Sequence, residues 1–233
     1  MLAIKALQVQ GVPIPRCVMI TEGDEESGSA HIETYIKALK ERIGDPTVFF
    51  CLDSGALDYE RIWLTNSLRG MLAATIRVDV ITEGIHSGDA SGIVPSPFRI
   101  VRQLLERIED SQTGEIHSAF QVDIPPNRYK EMYDLVEAKQ QDSIKEFPFL
   151  PGVNRVNENY LSSIIMRGWK AQMTVIGSGG LPECKSAGNV MLPFNEFRIS
   201  IRLPPTKNPK DAEIELTRIL TENPPYNAKV LFC

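Results

Sequence analysis

The chain has 233 residues, of which 42% are hydrophobic and 24% charged, with a net charge of −5. That is the balance of an ordinary globular protein, long enough for one large or two small domains. It gives no support to binding of a nucleic-acid backbone, and no apolar run approaches the ~20 residues that a membrane-spanning helix needs.

From the start, residues 3–10 read as the end of a helix, stopped by Gly11 with Pro13 and Pro15 beyond it. Residues 16–20, around Cys17-Val18-Met19-Ile20, read as a buried strand. Thr21 to Ser29 then run Thr-Glu-Gly-Asp-Glu-Glu-Ser-Gly-Ser, placing Glu25 and Glu26 on a strand-to-helix turn between Gly23 and Gly28. A helix is expected over residues 30–42, because Ile32, Tyr35, Ile36, Leu39 and Ile43 recur at three- and four-residue steps. Residues 47–52 read as a second buried strand, ending in Asp53. Strand, helix and strand would form a βαβ unit. Cys17 and Cys51 lie within its apolar runs and read as core residues. The four cysteines (Cys17, Cys51, Cys184, Cys233) include no Cys-x-x-Cys pair, which points to reduced thiols in a cytoplasmic protein.

The pattern changes after Asn66. Residues 71–81 alternate, with Leu72, Ala74, Ile76, Val78 and Val80 on one face of an antiparallel strand. Ile85-His86-Ser87-Gly88 follows as a turn. Residues 97–108 are an amphipathic helix and residues 127–146 mostly helical. Residues 161–169 and 171–176 read as strands, with the Gly-Ser-Gly-Gly run at 177–180 as a mobile loop. That run lacks the lysine and spacing of a phosphate-binding loop. Residues 194–203 alternate, residues 209–221 are a helix and residues 228–232 a last strand. Together they predict a sheet with two main helices on one face, an α+β sandwich of ferredoxin-like type. The helical segment before Pro148 is an insertion without an assigned place.

Chemistry concentrates at few positions. Two adjacent carboxylates point in different directions, so one of Glu25 and Glu26 can bind a metal while the other accepts a proton. The alternative is an acidic cluster at a helix N-terminus, with Ser29 as N-cap. Asp53, at the carboxyl end of a strand, sits where open α/β sheets keep functional groups, or closes an Asx-turn with Gly55. His86 lies between Gly84 and Gly88, which allow close backbone approach or positive φ; the alternative is a histidine bonded locally. His31 and His117 read as surface residues.

The run Glu22 to Ser29, then Asp53, Leu68-Arg69-Gly70 and His86-Ser87-Gly88, in that order, resembles the superfamily of co-catalytic zinc peptidases. That group includes carnosinase-type dipeptidases, glutamate carboxypeptidase, aminoacylase and succinyl-diaminopimelate desuccinylase. The likeness is greatest to the carnosinase and cytosolic nonspecific dipeptidase branch. The resemblance implies a partial catalytic, metal-binding domain over residues 1–66 and a lid and dimerisation domain over residues 67–233. It implies Glu25 as general base and Glu26 and Asp53 as ligands of two divalent ions, zinc, or alternatively manganese or cobalt. It also implies that His86 reaches into a partner subunit's active site to stabilise an oxyanion. Asn189, where carnosinase-like enzymes have threonine, and Arg202, on the substrate carboxylate, would bind substrate; otherwise Arg202 is a solvent-side strand arginine. The implied activity is hydrolysis of a peptide or N-acyl amide bond of a small amino-acid substrate by a homodimer.

The superfamily's His-x-Asp is missing, since the histidines are His31, His86 and His117. So are its bridging aspartate and its late histidine ligand. The chain therefore reads as an internal fragment, inactive alone, with exposed apolar surface over residues 1–66. Two other readings stand beside this one: a non-catalytic dimerisation or interaction module, and a small-molecule-binding regulatory domain, which would leave Glu25, Glu26 and Asp53 unexplained.

Overall fold

The computed structural model describes residues 1–56, 58–138 and 147–233. They fall into two compact units, Met1–Gly55 and Ala56–Cys233. The first unit holds helix α1 (Leu2–Val9), a 3-10 helix (Glu25–Ser27), α2 (Ile32–Ala38) and α3 (Lys40–Ile43). The helix expected over residues 30–42 is thus broken at Leu39, whose φ of −98° and ψ of 7° leave the helical region. Arg16 tethers the end of α3, donating from its guanidinium to the carbonyl of Ile43 at 2.8 Å and to that of Arg42, where a cation also meets the negative end of the helix.

Neither expected strand of this unit forms. Residues 16–20 and 47–52 have no ladder partners among the described residues. A strand exists only through hydrogen bonds to a neighbour, and no described segment pairs with either run. Their side chains are accordingly uncovered: Met19 is 67% exposed, Phe49 79% and Phe50 74%. Cys17 and Cys51, read as core residues, are exposed as well.

The second unit is built on alternation. Its elements are β1 (Gly70–Asp79), β2 (Ile85–His86), α4 (Ser87–Ala90), α5 (Pro97–Leu105), α6 (Pro126–Ala138) and α7 (Tyr160–Trp169), followed by β3 (Gln172–Gly179), β4 (Val190–Met191), β5 (Phe194–Leu203), α8 (Pro209–Thr221) and β6 (Lys229–Phe232). The main sheet has the order β3-β5-β1-β6, and every neighbouring pair is antiparallel. β1 and β5 pair along their whole length, from Gly70 opposite Leu203 to Asp79 opposite Phe194. Period two then sends Ala74, Ile76 and Val78 to the same face as Phe197, Ile199, Ile201 and Leu203. These side chains close on Ile100, Val101 and Leu104 of α5 and Leu216 and Leu220 of α8 in one buried cluster. Full burial of each such aliphatic side chain contributes about 1.5–3 kcal/mol. The opposite face carries Thr75, Arg77, Glu196, Arg198 and Arg202. This is the α+β sandwich expected from the pattern, with its two main helices on one face.

Side-chain caps start the helices. Ser96 accepts from the Arg99 N–H ahead of Pro97 in α5, Asn159 from the Ser162 N–H at 2.9 Å for α7, and Asn208 from the Lys210 N–H at 2.9 Å for α8. The Asn159 cap bears on a correction. Residues 161–169, expected as a strand, are helix α7. A short apolar run such as Leu161 to Met166 has no period that separates strand from helix; the cap and packing on α6 decide it. Met132 and Trp169 are buried, and Gly168 lies against the Met132 sulfur. The insertion is therefore a pair of packed helices, and the part of it at residues 139–146 lies outside the described residues. The Gly-rich run is also corrected: residues 177–179 belong to β3, after a register shift between Val175 and Gly177. Among the described residues no helix is long and apolar enough to cross a membrane.

Candidate functional site

In the first unit the acidic segment folds on itself. The Asp24 carbonyl accepts from the N–H groups of Ser27 and Ser29, both at 3.1 Å, and Ser29 takes a φ of 53°. Ser29 is not the N-cap of the next helix; His31, exposed, holds that position without a side-chain bond. The carboxyl of Glu25, an exposed residue, is held above its ordinary value, chiefly by the neighbouring Glu26 charge, then by Asp53, slight desolvation and Glu22. The chain thus folds Asp53 back into electrostatic reach of Glu25. One oxygen of Glu22 is enclosed with no hydrogen-bond partner among the described residues. The result is a concentration of carboxylates around Glu25. It does not amount to a metal centre: among the described residues no three or more His, Cys, Asp or Glu side chains are grouped to hold an ion. A catalytic zinc takes three protein ligands, so the donors present do not fit a complete dinuclear site.

In the second unit His86 and Asn189 are brought together. β2 and β4 form a two-stranded ladder with His86 opposite Val190, and the Ser87 N–H donates to the Asn189 carbonyl at 2.9 Å. A further bond from the Val80 N–H to the Pro193 carbonyl, also 2.9 Å, ties this ladder to the main sheet. His86 Nδ1 accepts the Gly88 N–H at 3.1 Å. An accepting Nδ1 places the proton of a neutral imidazole on Nε2, so the exposed edge of the ring is a donor. The flanking glycines serve close approach: a Cβ at Gly84 would lie 2.8 Å from Val190 Cγ1, and one at Gly88 3.0 Å from His86 Nδ1. His117 makes a similar local bond, accepting the Ala119 N–H at 3.2 Å.

Arg202 is exposed on the open face of β5, opposite Met71 of β1 and Gln172 of β3. It stands at the far end of the sheet from His86 and Asn189. The eight residue steps of β5 from Phe194 to Arg202 correspond to about 27 Å at ~3.4 Å per residue. Two arginines not weighed from sequence share its surroundings. Arg69 is half-buried, donates to the Lys170 carbonyl at 3.5 Å, and has its proton affinity lowered by burial, then by the charges of Arg202 and Arg167. Arg69 stood in the Leu-Arg-Gly segment singled out from sequence, but nothing local signalled its neighbours.

A recess of about 330 Å³ between Arg107, His117, Arg218 and the end of α8 is a helix cap. Arg107 spans it to the carbonyls of Ile219, Glu222 and Asn223 at 3.0, 2.7 and 2.8 Å.

Residues 66–227 match the family described as peptidase dimerisation domain, M20_dimer, and the chain belongs to that family. It is 26% identical over 220 residues to Probable di- and tripeptidase DUG2 of Saccharomyces cerevisiae, covering 92% of this chain and 23% of the relative. It is 25% identical over 224 residues to Beta-Ala-His dipeptidase of Mus musculus, covering 93% of this chain and 44% of the relative. The crystal structure of human carnosine dipeptidase 1 superimposes with a TM-score of 0.65 at 20% identity, over 99% of this chain and 50% of that one. The chain thus spans less than half the length of the curated relatives it matches.

Proposed function

We propose that the chain is the lid-bearing part of a longer metal-dependent dipeptidase, cytosolic and dimeric, that hydrolyses a peptide or N-acyl amide bond in a small amino-acid substrate. The carrying observation is the separation of Arg202 from His86 and Asn189 along β5. A dipeptide is far shorter than that span, so one chain cannot close both groups on one substrate. A two-fold partner supports the closure, because pairing two copies of an antiparallel sheet edge sets opposite sheet ends side by side. β3 is such an edge, with Val175 44% and Ile176 56% exposed.

In this reading residues 1–66 belong to the catalytic domain and residues 67–233 form the lid. Glu25, its carboxyl raised, is the proton acceptor for the attacking water. Arg202 holds the substrate carboxylate, and the partner subunit's His86 offers Nε2–H to the developing oxyanion, beside the partner's Asn189. Glu26 and Asp53 are the carboxylates this chain would offer to the ions, zinc, manganese or cobalt, which would supply Lewis-acid polarisation of the scissile carbonyl once the remaining ligands are provided. The four exposed thiols suit a reducing compartment.

The test is hydrolysis of alanyl dipeptides with zinc or manganese added. The isolated chain is expected to give no chelator-sensitive turnover, having only two such carboxylates. The longer protein is expected to hydrolyse them and to lose at least about a hundredfold in kcat in Glu25→Gln. Full turnover by that variant contradicts the reading. If the longer protein forms the same dimer but hydrolyses nothing with any of these metals, the chain is an interaction module instead.

A further inference from the structure

We infer that Arg69, Arg167 and Arg202 form one anion-binding site that takes the doubly charged carboxyl end of an acidic peptide. Three separate elements bring the guanidiniums to the same end of the sheet. Arg69 directly precedes β1, whose Met71 faces Arg202. It donates to the carbonyl of Lys170, the residue that ends α7, and Arg167 lies in the last turn of that helix. Gln172, two residues beyond Lys170, faces Arg202 from the other side.

Other arginines of the chain have carboxylate partners, among them Arg77 with Asp79, Arg128 with Glu131 and Arg218 with Glu215. None of these three has one among the described residues. Arg69 is also partly withdrawn from water, so its charge is weakened by burial and by both neighbours. Three like charges held together without a counter-ion destabilise the empty protein, and an anion relieves that repulsion.

The count of charges selects the ligand. One guanidinium fork satisfies one carboxylate. A peptide ending in a neutral residue uses one arginine and leaves two uncompensated. A peptide ending in glutamate or aspartate brings a second carboxylate within a few ångströms of the first, matching a cluster rather than a single arginine. This deepens the peptidase reading and rests on it for the peptide nature of the ligand; the arginine cluster itself does not depend on that reading.

The experiment is a titration of the 233-residue chain with Ala-Glu and Ala-Gln, followed through the arginine side-chain NMR signals. Ala-Glu is expected to bind about tenfold more tightly than Ala-Gln at low salt. Arg69→Gln and Arg167→Gln should each erode that preference, Arg69→Lys should retain part of it, and Arg202→Gln should weaken both peptides. Arg167 is exposed on α7, so its variant keeps the test open if Arg69→Gln melts early. Equal affinities for the two peptides, or a preference untouched by both Arg69→Gln and Arg167→Gln, overturn the inference. Hydrolysis of both dipeptides by the longer protein without preference would overturn it while leaving the peptidase reading. A preference in binding without any hydrolysis would uphold the site and remove that reading.

Discussion

The backbone N–H of Ser87 donates to the carbonyl oxygen of Asn189 at 2.9 Å, which fixes the turn carrying His86 to the strand that follows Asn189. Two residues a hundred positions apart in sequence thereby share one small ladder, and the imidazole orientation depends on how closely that ladder packs. Gly88→Ala would put a methyl group 3.0 Å from Nδ1, and Gly84→Ala one 2.8 Å from Val190 Cγ1. At Gly84, where Val190 is the obstacle, overpacking of this kind costs about 1–3 kcal/mol, whereas the exposed His86 ring can swing away from a methyl at Gly88. The expected outcome for Gly88→Ala is a fall in kcat of the longer protein's proposed hydrolysis with a melting temperature changed little, since the turn is exposed. For Gly84→Ala both should fall. Unchanged kinetics in both variants would separate His86 from the chemistry.

The packed sheet and the uncovered first unit should respond oppositely to truncation. Ile199 is fully buried, and Ile199→Ala is expected to cost about 2–5 kcal/mol in urea unfolding of the second unit. Phe49 and Phe50 are largely exposed, so Phe49→Ala should change unfolding by less than about 0.5 kcal/mol. The same substitution should instead reduce self-association at high protein concentration, measurable by light scattering.

This contrast shows what the residue pattern could and could not reveal. β1 and β5 were legible because one face of each is buried and the other open, so every second residue is apolar. The helices α5 and α8 were legible from their three- and four-residue steps. The strands expected at residues 16–20 and 47–52 were misread because an apolar run records a need for burial, not the presence of a neighbour to provide it. Helix α7 was misread because Ile164, Ile165 and Met166 suit either state. Among the candidate residues, Glu25, Glu26, Asp53 and His86 stand out by residue type and spacing. That Asn189 would bond to the turn carrying His86, or that Arg167 and Arg202 would come within electrostatic reach of Arg69, depends on long-range pairing that no local signal carries.

Stability should also report on a turn remote from the site. Asp110 accepts the N–H groups of Gln112 and Thr113 at 2.9 and 2.8 Å, and chiefly the Thr113 bond, then the Gln112 bond, holds its carboxyl below the ordinary aspartate value of 3.8. A lowered folded-state value means the folded protein binds the proton less readily than the unfolded chain. The contribution is fully present above the unfolded value and is lost as pH falls through the folded one. Melting temperatures between neutral pH and pH ~3 should therefore fall further for the wild type than for Asp110→Ala. Parallel pH profiles would show that the turn carries no such contribution.

In the proposed dimer, Arg202 of one subunit works with the partner subunit's His86. Mixing tests it most directly: His86→Ala and Arg202→Gln versions of the longer protein, each expected to be inactive as a homodimer, are dissociated together and reassembled. In the mixed dimer one site has both variant residues and the other has neither. With half the dimers mixed and one good site in each, activity should return to about one quarter of wild type. If the mixture stays as inactive as its parts, His86 and Arg202 do not meet across a subunit interface, and the proposed shared site is wrong.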